Sequence, residues 1–209
     1  MDDQIVDEDD TNSCVVNIYP LRGNYFGSKD AILPKHHIYF DQLQKLKSIY
    51  STNGMRVCVE AVMLVELFKQ PHLLVLQMRN SFFKLPGGRL RLGESEIEGL
   101  KRKLSNKLSV NGNGVDDNWE VGECLGTWWR SDFETSLCPF LPPHMKSPKE
   151  CLKLFLVRFP MNKSFVVPKN QKLLVLPLFQ VHDNFKTYGQ IVSEVPSFLS
   201  RFSFNMNNV

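Results

Sequence analysis

Residues 84–94 read KLPGGRLRLGE and run directly into SEIEGLKRKLSNKLSV. This junction constrains the fold more than any other part of the chain. Paired glycines permit a tight turn with backbone angles closed to other residues. Ser95 and Glu98 form an S-x-x-E capping box, a helix start in which each side chain satisfies a backbone donor of the other. Ile97, Leu100, Leu104 and Leu108 follow at intervals of three, four and four residues, which predicts one apolar stripe facing a core. Glu96 and Glu98 lie early in this helix and Lys101, Arg102, Lys103 and Lys107 later, as its dipole favours.

The core that the stripe requires is supplied mainly by strands. MRVCVEAVMLVELF at 55–68, a turn at KQPH and a returning LLVLQM read as a hairpin. WEVGECLGTWWR, CLKLFLVRFP and QKLLVLPLFQV read as three further strands, and DFETSLCPFLPPHMKSPKE as a long proline-containing loop. Phe40, Leu43, Leu46 and Tyr50 predict a helix within 39–52, and Phe198, Leu199 and Phe202 a C-terminal helix in PSFLSRFSFN. Residues 15–30 read as an extended arm with turns at Pro20 and Gly27. Strands and helices do not alternate as in a doubly wound sheet, so the expected class is α/β of the α+β type.

Residues 1–13 hold six acidic residues and no basic ones and read as a disordered acidic tail. Setting them aside moves the formal charge from +3 to +9, so the folded part is basic and suits a polyanionic partner. Residues 14–54 are expected to form the arm and first helix, and residues 55–209 the main domain, with 14–206 as one folded unit. No apolar run reaches the ~18 residues of a membrane span, and no secretory signal is visible. The five cysteines show no CxxC spacing, which points to reduced thiols rather than a zinc site. His36 and His37 read as surface loop residues.

The glycine turn and its helix resemble the Nudix box. Gly88 and Glu94 have the family spacing, Arg102 falls in register, and Leu104 takes the apolar place. The three following family glutamates align with Lys103, Asn106 and Lys107, and the late glycine with Ser109. In Nudix hydrolases those glutamates share one helix face and bind magnesium, an ion that requires hard oxygen ligands. Two lysines and an amide there oppose a cation, so no catalytic residue, metal or cofactor is expected.

A wider set of segments narrows the resemblance. NSFFKLPGGRLRLGE, GLKRKL, WWR, FLPPH, PKECLKLFLV, VPKN, LLVLPLF, YGQI and FLSRFSFN resemble, in order, the family of small (25 kDa) subunits of pre-mRNA cleavage factor I, over roughly residues 15–206. That resemblance implies a Nudix fold without hydrolase activity, its mixed sheet sandwiched between helices with an N-terminal arm and a C-terminal helix. It implies a homodimer that reads UGUA in single-stranded RNA, pairs with an RRM-containing larger subunit, and acts in the nucleus in 3′-end processing and poly(A) site choice. It further implies that Phe82 stacks on a base, that backbone groups around Ser81, Phe83 and Leu85 read base edges, that Glu60 accepts from a guanine-type donor edge, and that Tyr188 and Gly189 add a second patch. Single-strand readers work by such aromatic stacking and edge contacts. LCPFLPP at 137–143 matches a loop near the RRM partner, with Cys138 and Phe140 at positions where the family often has tyrosine.

Alternatives stand beside these roles. Adjacent phenylalanines in a strand face opposite sides, so one of Phe82 and Phe83 belongs to the core. Glu60 could pair with a lysine, and Trp128 and Trp129 read as core plus dimer contact. Where the family has an RNA-contacting arginine in the first helix, this chain has Gln42, with Lys45 nearby. That departure leaves room for a scaffold that has lost strict RNA reading. A divergent hydrolase of nucleotides or dinucleoside polyphosphates would have to use Glu94 and Glu98.

Overall fold

A computed structural model describes residues 15–32, 39–78, 82–109 and 118–206, with side chains in the first helix from position 43 onward. The acidic segment 1–13, Cys14, His36, His37 and Ser81 lie outside the described residues, as does the side chain of Gln42.

The chain order is β1 (Val15–Ile18), β2 (Tyr25–Lys29), α1 (Tyr39–Asn53), β3 (Arg56–Val62), β4 (Leu64–Leu67), β5 (Gln70–Gln77), β6 (Phe83–Lys84), β7 (Gly87–Arg89), α2 (Glu96–Leu108), β8 (Glu120–Arg130), β9 (Glu150–Arg158), β10 (Ser164–Pro168), β11 (Lys172–Pro177), α3 (Leu178–Val181), α4 (Phe185–Tyr188), α5 (Gln190–Leu199) and β12 (Ser203–Met206). One mixed sheet has the order β7-β3-β9-β8, with β3 and β9 parallel and the outer pairs antiparallel. An antiparallel sheet, β11-β5-β4, carries β6 against β5.

The continuous apolar runs of the central strands have a simple cause: both faces are buried, and the two-residue period deals alternate side chains to two cores. Cys58 and Val62 of β3, with Leu73 and Val75 of β5, pack with Val192, Val195 and Leu199 of α5. Val59 and Ala61 of β3, with Leu74 and Leu76 of β5, pack with Leu100, Leu104 and Leu108 of α2. The sheets therefore lie between α2 on one side and α5 on the other, the expected sandwich.

Several expected boundaries shift. The arm is two strands, β1 parallel to β12 and β2 parallel to β10. Gly27 lies inside β2 rather than in a turn, and the Tyr25 ring fills the space a Cβ there would need, 2.9 Å away. The hairpin turn is Phe68–Lys69, both at positive φ, with Pro71 already in β5. QKLLVLPLFQV does not stay a strand: β11 ends at Pro177, which holds the N-cap position of α3. The C-terminal helix begins at Gln190 and ends at Leu199, and residues 203–206 pair as β12. Ile97 leaves the apolar stripe, 48% exposed, whereas Leu100, Leu104 and Leu108 are fully buried. Trp128 is core, its indole Nε1 donating to Glu194 at 3.1 Å, and Trp129 is half-buried.

Candidate functional site

A cleft of about 720 Å³ opens between α1, the β6–β7 turn and the α4–α5 junction. Six of the eight sequence-predicted site residues line it: Glu60, Phe82, Phe83, Leu85, Tyr188 and Gly189. Gln42 is carried by α1, one turn before Leu46, which also lines the cleft.

The paired phenylalanines part at the start of β6, with Phe82 just before the strand and Phe83 its first residue. Phe82 presents an exposed ring, 63% accessible. Phe83 turns inward and meets the Tyr188 ring edge-on at 4.9 Å between centroids. Such a contact fixes both rings beyond what burial alone supplies. Leu85 is fully buried, so its side chain is core and only its backbone is available to a ligand. Tyr188 is also buried, its hydroxyl accepting from Gln180 Nε2 at 2.8 Å. Gly189 caps the start of α5 at φ 78°, and nothing lies within 4 Å of where its Cβ would stand.

Glu60 is the buried anion of the cleft floor, 5% exposed, with Lys84 Nζ 3.3 Å from its Oε1. Burial pushes its carboxyl above the usual range, against the pull of Lys84 and then Lys107. Gly87 of the neighbouring strand makes this packing possible, because a Cβ there would lie 2.6 Å from the Glu60 Cα.

The opposite end of the cleft went unremarked in the sequence. Glu150 Oε1 lies 3.3 Å from Arg56 Nε and accepts from Cys58 Sγ at 3.2 Å, and its Oε2 accepts from Arg130 Nε at 3.0 Å. Burial pushes the Glu150 carboxyl up, but Arg56, Cys58 and Arg130 outweigh it and hold the group low. Lys149 Nζ sits 4.0 Å over the Tyr50 ring, which meets Phe133 edge-on. Arg56, Lys84, Arg89, Arg130, Lys149 and Lys186 give the lining six cations against the carboxylates of Glu60 and Glu150, a balance that favours an anionic ligand.

The face below the glycine turn is also basic. Lys103 runs beneath Gly88, its Cδ 3.5 Å from where a Cβ would stand. Glu94 is held by two of the three guanidinium nitrogens of Arg102, Nε and Nη2, and Glu98 accepts from the Ser95 hydroxyl at 2.9 Å. Each carboxylate thus already has a partner, and among the described residues no group of three or more His, Cys, Asp or Glu is placed to hold a metal. The described cysteines are free thiols, and no described helix is long and apolar enough to cross a membrane.

A Nudix family model, described as nucleotide hydrolase, matches residues 14–202. The chain is 61% identical to pre-mRNA cleavage factor Im 25 kDa subunit 1 of Arabidopsis thaliana, covering 96% of this chain and 90% of that protein. It is 49% identical to subunit 2 of the same organism, covering 93% and 97%. It is 40% identical to the cleavage and polyadenylation specificity factor subunit 5 of Dictyostelium discoideum, again covering 93% and 97%.

Proposed function

The chain belongs to the Nudix family and, within it, to the 25 kDa subunits of pre-mRNA cleavage factor Im, and from that premise we propose that it reads single-stranded RNA in pre-mRNA 3′-end cleavage, polyadenylation and poly(A) site choice. The supporting observation is convergence: Glu60, Phe82, Phe83, Leu85, Tyr188 and Gly189, from three separate stretches of the chain, border one basic cleft. The exposed Phe82 ring offers a stacking face, worth about 1–3 kcal/mol per base. A guanine edge presents two N–H donors, and the Glu60 carboxylate is an acceptor-only group able to take both. Backbone groups near Ser81, Phe83 and Leu85, with Tyr188 and Gly189 across the cleft, complete the edge contacts.

The RNA element is of the UGUA type, and the chain works as a homodimer in the nucleus beside an RRM-containing larger subunit. The loop 137–143, with Phe140 63% exposed, is the surface offered to that subunit. The chain does not hydrolyse nucleotides. The lysines at 103 and 107 oppose magnesium, and Glu94 and Glu98 are held by Arg102 and Ser95.

Titration of the purified chain with a UGUA oligomer, a UCUA oligomer and a scrambled control, at one defined salt concentration, tests the reading. Preference for UGUA is expected, and equal binding to all three would leave the chain a scaffold. Magnesium-dependent release of a mononucleotide from a dinucleoside polyphosphate, lost in Glu94→Gln, would restore the hydrolase.

A further inference from the structure

The cleft extends well past the residues that would read bases. On β3, Arg56 stands four residues before Glu60, about 13 Å along a strand. Strand register sets Arg56, Glu150 and Arg130 side by side across β3, β9 and β8. Glu60 lies two rows further in, opposite Gly87. Arg89 of β7 stands in the row between, opposite Cys58, and lines the same cleft. Cations therefore lead from the Glu60 floor to the outer end.

That outer end is built around Lys149. Its backbone N–H donates to the Arg130 carbonyl at 2.8 Å, and its carbonyl accepts from the Arg56 N–H at 3.0 Å, which fixes where its side chain leaves the sheet. Its ammonium lies 4.0 Å from the centroid of the Tyr50 ring and 5.9 Å from that of Phe133. The two rings meet edge-on at 5.8 Å, line the cleft and are half-buried. The Tyr50 hydroxyl donates to the Ser147 carbonyl at 3.3 Å and ties α1 to the segment leading into β9. Glu150 is next to Lys149 in sequence, but its two oxygens face Arg56 and Arg130. Among the described residues no carboxylate is ion-paired with Lys149 or Arg89. A cation without a counter-charge beside open aromatic rings is the pairing that grips single strands: charge for the phosphate, ring face for the base.

We propose that this end of the cleft is a second nucleotide subsite, which holds the nucleotide adjoining the recognised element with its phosphate on Lys149 and its base against the Tyr50–Phe133 corner. The proposal rests on the RNA-reading function stated above and extends the strand beyond the base-reading residues. Arg89 lies on the path between the two ends. Rings hold any base by its face, so the subsite adds affinity without sequence preference.

The test titrates the full chain with a UGUA tetramer and with the same tetramer lengthened by one nucleotide at its 5′ or its 3′ end. Wild type is compared with Lys149→Met, Lys149→Arg and Phe133→Ala. Lengthening at one end should tighten wild-type binding at least about fivefold, the lower bound for one stacked base, whichever base is added. It should also steepen the slope of log affinity against log salt by about 0.7 for the added phosphate. An added sugar-phosphate without a base should keep the steeper slope and lose most of the gain. Lys149→Met should lose the added slope, Lys149→Arg should regain it, and Phe133→Ala should lose the gain due to the base. No gain from lengthening at either end, or a wild-type gain and slope in both Lys149→Met and Phe133→Ala, overturns the proposal. If Lys149→Met does not fold, Phe133→Ala and the base-free extension decide. Equal binding of UGUA and UCUA tetramers would remove the base reading, while the gain on lengthening still judges this subsite.

Discussion

The guanidinium of Arg102 donates to both oxygens of Glu94, Nε to Oε1 at 2.5 Å and Nη2 to Oε2 at 2.6 Å. These bonds hold the Glu94 carboxyl down to about 2, with the Arg91 backbone N–H assisting. A carboxyl depressed in the folded state stabilises the fold above its unfolded value and loses that contribution as pH falls through the folded one. The difference in unfolding free energy between wild type and Glu94→Gln should hold steady above about 4.5 and close as pH approaches about 2. Denaturant unfolding across a pH series measures it, and a gap indifferent to pH would contradict an ionised pair.

Gly87 cannot be replaced cheaply. Its φ is 154°, and an added Cβ would lie 2.1 Å from the Val59 carbonyl oxygen and 2.6 Å from the Glu60 Cα, both backbone atoms of the paired strand. Gly87→Ala should cost about 2–3 kcal/mol in urea unfolding and weaken RNA binding by displacing Glu60. Gly54 is the control: its φ is 72° with nothing within 4 Å. Gly54→Ala should cost only about 1 kcal/mol, the strain of a left-handed Cβ.

The α2 stripe separates packing from surface. Leu104 is fully buried between the sheet and the helix, so Leu104→Ala should cost about 2–5 kcal/mol. Ile97, two places earlier on the same predicted stripe, is 48% exposed. Ile97→Ala should stay within about 0.5 kcal/mol of wild type. Equal losses at the two sites would mean that the start of α2 is buried against something further, such as a second copy of the chain.

Phe82 and Phe83 should divide binding from stability. Phe82→Ala removes an exposed ring and should weaken UGUA binding by about 1–3 kcal/mol with the unfolding midpoint unchanged. Phe83→Ala opens a gap against Tyr188 and should lower both. Unchanged RNA affinity in Phe82→Ala would remove the stacking role.

The difference between those neighbours was expected from the sequence, and the capped helix at Ser95 was legible there because its signal is local. The hairpin turn was misplaced because Phe68 and Lys69 carry none of the glycine or asparagine chemistry that marks left-handed residues, while Pro71 imitates a turn. The start of α5 was hidden by Pro196, which sits inside the helix rather than before it. The Arg56–Glu150–Arg130 end of the cleft could not be read at all. The parallel pairing of β3 with β9 sets Arg56 opposite Glu150, and residues so far apart in sequence share no local pattern.

Gln42 is where the chain departs from the arginine of its resembling family, and restoring that arginine tests how the cleft meets RNA. Position 42 lies one turn before the cleft-lining Leu46 on α1. Glutamine can bond a base edge but neutralises no phosphate. Gln42→Arg should tighten UGUA binding, and its salt dependence tells how. A new phosphate contact steepens the slope of log affinity against log salt by about 0.7, the single-strand value per neutralised charge. A base contact leaves the slope near its wild-type value and widens the preference for UGUA over UCUA. Affinity, slope and preference all unchanged would put position 42 outside the RNA path, and among the described side chains of the first helix Leu46, Ile49 and Tyr50 would remain to serve the cleft.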